Sequence, residues 1–286
     1  MDKETNQKMK ESTLVDDLSL LSLNEQSIYF LFEILLAVLV MTFNTLCGVS
    51  LYKVQRRTKP TNALLFSLAI ADSVNGLVSF IFHFSLAMAI SKGSSFIHGL
   101  IPGLFLTNQI SFLFMMLSLA NRFLRTKYIL NYHQVITQKK AFIALVATLV
   151  VSAVFTLASE YGFVYFKKAG RLVIAACCNI PIMVFCFTLF ILSIRNLKNI
   201  NSTVVSSLPS GFQTIIKIST LHFMTLTIAM LPWLVVFAVR RLGDLSEHDI
   251  TLFYYWCFFS WKMCPLVNAC NILLTNKRCI RVLLPY

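Results

Sequence analysis

The chain has 286 residues, of which 57% are hydrophobic and 13% charged, yet its formal net charge is +13. An ordinary soluble domain is roughly a quarter charged, and 25 Phe with 10 Met exceed what one aqueous core needs. The apolar excess excludes disorder. With 9 Gly and 7 Pro a collagenous or low-complexity chain is excluded too. A basic nucleic-acid binder would carry the charge but not the oiliness. A polytopic membrane protein remains, with the bilayer as partner and no nucleic acid.

Residues 1–27 are polar and lack the apolar run and small-residue cleavage site of a signal peptide, so they read as an extracellular tail. Seven apolar stretches follow at about 28–52, 63–90, 97–122, 141–160, 169–194, 214–239 and 250–275. Each is near or above the ~20 residues that cross a bilayer. None alternates with period two, and hydrocarbon leaves a span to satisfy its own backbone, so they are predicted helices. The expected loops are short, including an outer one near Gly162–Lys168.

Lys53, Arg56, Arg57 and Lys59, then Arg122, Arg125, Lys127, Lys139 and Lys140, fall on one side of such a bundle. Arg195, Lys198, Lys217, Lys277, Arg278 and Arg281 join them, with no Asp or Glu. The positive-inside rule then sets the N-terminus outside and the C-terminus in the cytoplasm. The expected organisation is a tail at 1–27, a seven-transmembrane domain at 28–275 and a short cytoplasmic helix or tail at 276–286.

Polar groups inside membrane spans are costly and point to function. Asn44 stands in the first span, and Asp72 follows 28 residues later within Leu68-Ala69-Ile70-Ala71-Asp72. The third span ends Asn121-Arg122-Phe123. Pro181 and Pro232 interrupt the fifth and sixth, where proline marks a kink. The seventh ends Asn268-Ala269-Cys270-Asn271-Ile272, before Asn276-Lys277. Lys262 sits in an apolar run six residues before Asn268, nearly two turns toward the outer side. The histidines are scattered and read as packing or surface residues, and the cysteines show no zinc spacing.

In this order, over nearly the whole chain after the tail, the sequence resembles the rhodopsin-like (class A) G-protein-coupled receptors. Asn121-Arg122-Phe123 occupies the place of that family's Asp/Glu-Arg-Tyr triplet, and Asn268 to Ile272 that of Asn-Pro-x-x-Tyr. The resemblance implies a seven-helix bundle with a short amphipathic eighth helix. It implies signalling to a heterotrimeric G protein from the plasma membrane, with no enzymatic activity. The activation switch it implies comprises Asn121, Arg122, Phe123, Pro232 and Asn268. Asn121 replaces the acid that would restrain Arg122 through a charged pair, which predicts a weaker resting restraint. Proline is at Pro265, one turn before the family's position. Asn44, Asp72, Ser111 and Asn268 are then expected to form a sodium or water site, or else a hydrogen-bond network joining the helices. Cys279, a lone cysteine on the expected cytoplasmic side, is a candidate for palmitoylation or an unmodified thiol.

Lys262 matches the position of the opsin lysine that binds retinal. A buried amine can attack an aldehyde to form an imine, and the protonated imine needs a counterion. Glu33 is the nearer candidate and Glu160 the more distant. Other opsin features are absent: Met230 replaces the Trp of the sixth span, and no Cys lies near residues 95–100 to tether the second outer loop. Two readings stay open, an opsin-like retinal protein and a receptor for a peptide or small non-amine ligand. The lack of an acid over Gly103–Asn108 speaks against a biogenic amine. A seven-helix channel or transporter is a more remote third reading, because no internal repeat is visible.

Overall fold

The computed structural model describes residues 23–54, 60–92, 96–128 and 131–200, together with 221, 224, 225, 227, 259, 262–273 and 279. Among them, all regular structure is helical: α1 Leu23–Val54, α2 Pro60–Lys92, α3 Phe96–Lys127, the one-turn α4 Tyr132–Val135, α5 Gln138–Ile200, and a helical segment at 262–273. Four stretches are long and apolar enough to cross a membrane, namely Glu25–Val54, Ala63–Met88, Pro102–Lys127 and Gln138–Ala158. A shorter apolar stretch covers Val184–Asn196. The first helix begins a little over a turn before the expected boundary at residue 28. Pro232 and nearly all of 276–286, the expected eighth helix, lie outside the described residues.

The buried residues recur at helical spacing on each of the first three helices. In α1 they are Phe30, Glu33, Ala37, Val40, Asn44, Cys47 and Leu51; in α3, Leu104, Asn108, Ser111, Met115, Ser118 and Arg122. Steps of three and four keep such residues on one face of a helix. On α1 and α5 the other faces are apolar and open: Leu31, Leu35, Tyr52, Phe142, Ile143 and Leu157 are each more than half exposed. Ionic and amide groups are therefore inside and large hydrocarbons outside. Water would drive the reverse distribution, so the surface of this bundle is suited to lipid.

The expected outer loop at 162–168 is corrected by the structure, because α5 is helical through all 63 residues. The interval from Ser159 to Arg171 holds no proline, and glycines such as Gly162 and Gly170 cost a helix only about 1 kcal/mol each. Straight, this helix would be roughly 95 Å long, about three times the hydrocarbon thickness. It is not straight. Leu145 and Cys186 both pack on the cluster of Phe112, Met115 and Leu119, although 41 residues of straight helix would separate them by roughly 60 Å. Both apolar arms, around Leu145 and around Cys186, therefore lie on the same core.

Helices α1 and α2 approach closely at Gly76. A Cβ there would lie 2.7 Å from the Met41 amide nitrogen and 3.0 Å from the Ala37 carbonyl oxygen. Backbone cannot move aside, so Gly76→Ala must separate the helices. The expected cost is about 1–3 kcal/mol, read as a lower thermal midpoint of the purified protein. Gly103 in α3 has nothing within 4 Å of its Cβ position. Gly103→Ala is the matched control and should leave the midpoint unchanged or raise it.

Candidate functional site

The ion-paired site joins α1, α2 and the 262–273 segment. Glu33 comes from the inward stripe of α1 and is fully buried, with 0% exposure. Lys262 lies in the helical segment, and its Nζ donates to Glu33 Oε2 at 2.6 Å. The same Nζ stands 3.1 Å from His83 Nε2, on α2. His83 Nδ1 is 2.7 Å from the Ser79 carbonyl oxygen, which can only accept, so Nδ1 carries the proton. Nε2 of the neutral ring is then a lone-pair acceptor, and Lys262 donates to it. Tyr29, Phe82 and His83 form edge contacts that close the aromatic side of the site. The pairing neutralises two charges that hydrocarbon would not tolerate singly.

His83 was not expected here. Its signal was nevertheless in the sequence: Asp72, Asn75, Ser79 and His83 are spaced three, four and four residues apart, one polar stripe down α2. All four are buried. A crevice of about 200 Å³ beside the ion pair is lined by Leu36, Ala37, Val40, Asn75, Gly76, Ser79 and Lys262. The closeness of Gly76 to α1 shapes its wall. Glu33 Oε1 is buried without a hydrogen-bond partner.

A second polar cluster lies further along the same stripe. Ser111 donates to Asp72 Oδ1, and Thr107 donates to Asn75 Oδ1 at 3.2 Å. Asn44 Nδ2 donates to the carbonyls of Val40 at 2.9 Å and Pro265 at 3.1 Å. Asn268 Nδ2 is directed at Met115 Sδ, 3.3 Å away. Asn75, Asn108, Ser111, Cys264, Pro265 and Asn268 border a crevice of about 230 Å³. Of the expected residues, Ser111 and Asn268 share this crevice, Asp72 reaches it through Ser111, and Asn44 binds its Pro265 wall. Asn44 Oδ1, Asp72 Oδ2 and Asn268 Oδ1 are buried acceptors without partners. Unfilled oxygens with no excess of donors suit a hard cation or a water.

No protein-family model matches this sequence, and no curated protein matches it either. The chemistry of the site therefore rests on its own geometry. At the C-terminal end of α3, Asn121 and Arg122 are buried and Phe123 is half-buried. Asn121 Oδ1 accepts from the Tyr132 hydroxyl at 2.6 Å, so α4 is tied to the C-terminal end of α3. Sequence reasoning missed Tyr132 because its partner is eleven residues away across a turn. Glu160 belongs to the α5 backbone, but its side chain, like Pro232, lies outside the described residues. Cys279 packs with Cys47, Leu51, Ala69 and Ala269 at 0% exposure, and burial pushes its thiol up. It is a packing residue here, inaccessible to acylation. No group of metal-ligating side chains occurs among the described residues.

The ion pair yields a double-mutant cycle. Lys262→Met strands a buried carboxylate and should cost about 3–5 kcal/mol, as should Glu33→Leu for the stranded ammonium. The double variant removes both charges and should recover most of that loss. Unfolding midpoints of the four proteins check this; additive losses would mean that the two charges are not coupled.

Proposed function

We propose that this chain is a rhodopsin-like receptor that signals from the plasma membrane to a heterotrimeric G protein, with its N-terminus outside and its C-terminus in the cytoplasm. One observation carries the reading: Asp72, Ser111 and Asn268, from three separate parts of the chain, border or reach a single polar crevice. Such a centre inside a lipid-facing bundle has two alternatives available, hydrated or collapsed, and a bundle with two packings is what transmission across a membrane needs. Sodium fits the three unfilled oxygens, and Asp72 Oδ2 with the Asn44 and Asn268 side-chain oxygens would hold it. A bound cation would offset the buried carboxylate charge.

The inner end follows the same reading. Arg122 is the switch, and the Asn121–Tyr132 hydrogen bond is its neutral restraint. A neutral hydrogen bond contributes about 1 kcal/mol, roughly half of a charge-assisted one, so basal activity is part of the proposal. Retinal is the second ligand reading, favoured by the Lys262–Glu33 pair, which supplies an amine and a counterion. The alternative is a non-photoreceptive receptor for a peptide or small non-amine ligand.

Guanine-nucleotide exchange on purified G proteins tests the class. The reconstituted receptor should show exchange above the empty-membrane level, and Arg122→Ala should abolish it. Tyr132→Phe should raise it about two- to fivefold, near the effect of one lost neutral hydrogen bond. No exchange with any G-protein class, from well-folded protein, would refute the reading. Visible absorbance after incubation with 11-cis retinal, lost in Lys262→Ala, would restore the photoreceptor alternative. Sodium at 100 mM or so should lower basal exchange relative to a larger monovalent cation. Asp72→Asn should erase that difference while preserving the fold.

A further inference from the structure

We propose that the basic junction of α3, α4 and α5 docks a multiply charged, phosphate-bearing lipid head group, with Arg125, Lys127, Lys139 and Lys140 as its cations. The inference rests on the chain spanning a bilayer and not on what it signals. Arg125 and Lys127 end α3, while Lys139 and Lys140 open α5. Two hydrogen bonds join these ends through α4. The Tyr132 hydroxyl donates to Asn121, one turn before Arg125. Lys140 Nζ donates to the Val135 carbonyl, at the other end of α4, at 2.8 Å. Leu145 packs on the cluster of Met115 and Leu119, so the end of α3 and the start of α5 face the same side. Lys127, Lys139 and Lys140 are exposed and Arg125 is half-buried. No Asp or Glu occurs between Asp72 and Glu160, and among the described residues the four cations pair with no acid.

The placement of these cations selects a lipid as partner. Phe142 and Ile143 follow directly along α5 and are 67% and 65% exposed. The stretch Gln138–Ala158 is 17% buried, against 39–56% for the other three spanning stretches. One turn therefore separates exposed ammonium groups from a bare hydrocarbon surface, which is how the boundary between head groups and acyl chains is met. Tyr128 is exposed as well, with Lys127 Nζ 5.3 Å from its ring centroid. Its amphipathic ring suits the same boundary. Helix stability does not account for Lys139 and Lys140, because cations in a first turn oppose the helix dipole and that turn of α5 holds no acid. Topology asks only for positive charge somewhere on this side. A head group of single charge would leave most of the four cations uncompensated, whereas a phosphorylated inositol lipid carries several negative charges. Its phosphates would meet the ammonium groups while its acyl chains lie along Phe142 and Ile143.

The test uses the full-length protein in neutral detergent micelles and a fluorescent short-chain phosphatidylinositol bisphosphate, read by anisotropy against empty micelles. The labelled lipid should bind, and the unlabelled form should displace it where phosphatidylcholine does not. Lys139→Gln with Lys140→Gln should weaken binding roughly tenfold to thirtyfold, since each lysine near a membrane surface contributes about fivefold. Lys53→Gln with Arg195→Gln removes two exposed cations from other helix ends on the same side and should leave the affinity within about threefold. Equal weakening by the two double variants overturns the proposal, because the charge of the whole face would then explain binding. Displacement by inorganic phosphate at equal concentration overturns it in favour of a free anion. Displacement by a polyglutamate peptide overturns it in favour of a protein partner. Lipid preference is measured on the unsubstituted protein, so binding no better than that of phosphatidylcholine refutes the proposal even if a variant fails to fold. Nucleotide exchange is measured separately, and the receptor reading stands or falls on that assay alone.

Discussion

A carboxylate and an ammonium inside hydrocarbon must find one another, and the Glu33–Lys262 pair is the contact on which the rest of this bundle depends. It closes a connection between residues 229 apart in the chain. Neither charge has a tolerable alternative in a low-dielectric interior, so α1 and the 262–273 segment are held at one relative height. His83 extends the tie to α2 through the same ammonium, and the Ser79 carbonyl decides which ring nitrogen takes part. Three helices are thereby registered by one cationic nitrogen.

Asn44 repeats the tie deeper in the bundle by donating to the Pro265 carbonyl, so α1 grips the last segment at two levels. Between those levels α1 and α2 touch backbone to backbone at Gly76, where a side chain would not fit. Association of helices in lipid depends on close van der Waals approach and on hydrogen bonds, because lipid tails are as apolar as leucine. Both means occur here within a few turns. Asn75 borders the crevice at the ion pair and the crevice at Asp72. The polar stripe of α2 therefore runs continuously from one centre to the other. Packing changes at either end have a physical route to the opposite end, through side chains that have no lipid-facing alternative.

Much of the fold was legible in the composition and hydropathy, since helices are what an isolated span can form in lipid. The first three helices follow the predicted spans closely, and a fourth does so over Gln138–Ala158. The loop expected near 162–168 falls within the helical run Gln138–Ile200, where two glycines without a proline do not compel a helix to stop. Of the site, Glu33 beside Lys262 and Asp72 beside Ser111 were reachable from the rarity of buried polar groups. His83 and Tyr132 were missed. A lone histidine or tyrosine is common enough on a helix that its type alone says little, and only the stripe through Asp72, Asn75 and Ser79 marked His83.

Sequence alone determined that the chain is an assembly of apolar helices, and which few polar groups are expensive enough to need partners. Those are one-dimensional properties, set by side-chain transfer energies and helical periodicity. Tertiary structure decided which expensive group meets which: Lys262 with Glu33 and His83, Asp72 with Ser111, Asn44 with the Pro265 carbonyl, Asn121 with Tyr132. Pairing depends on helix neighbours, relative height and rotation, and these are settled jointly by close packing at residues such as Gly76. No single segment carries that information. A chain that first looked too oily for its positive charge places, among its described residues, apolar side chains outward and the compensated Glu33–Lys262 pair inside.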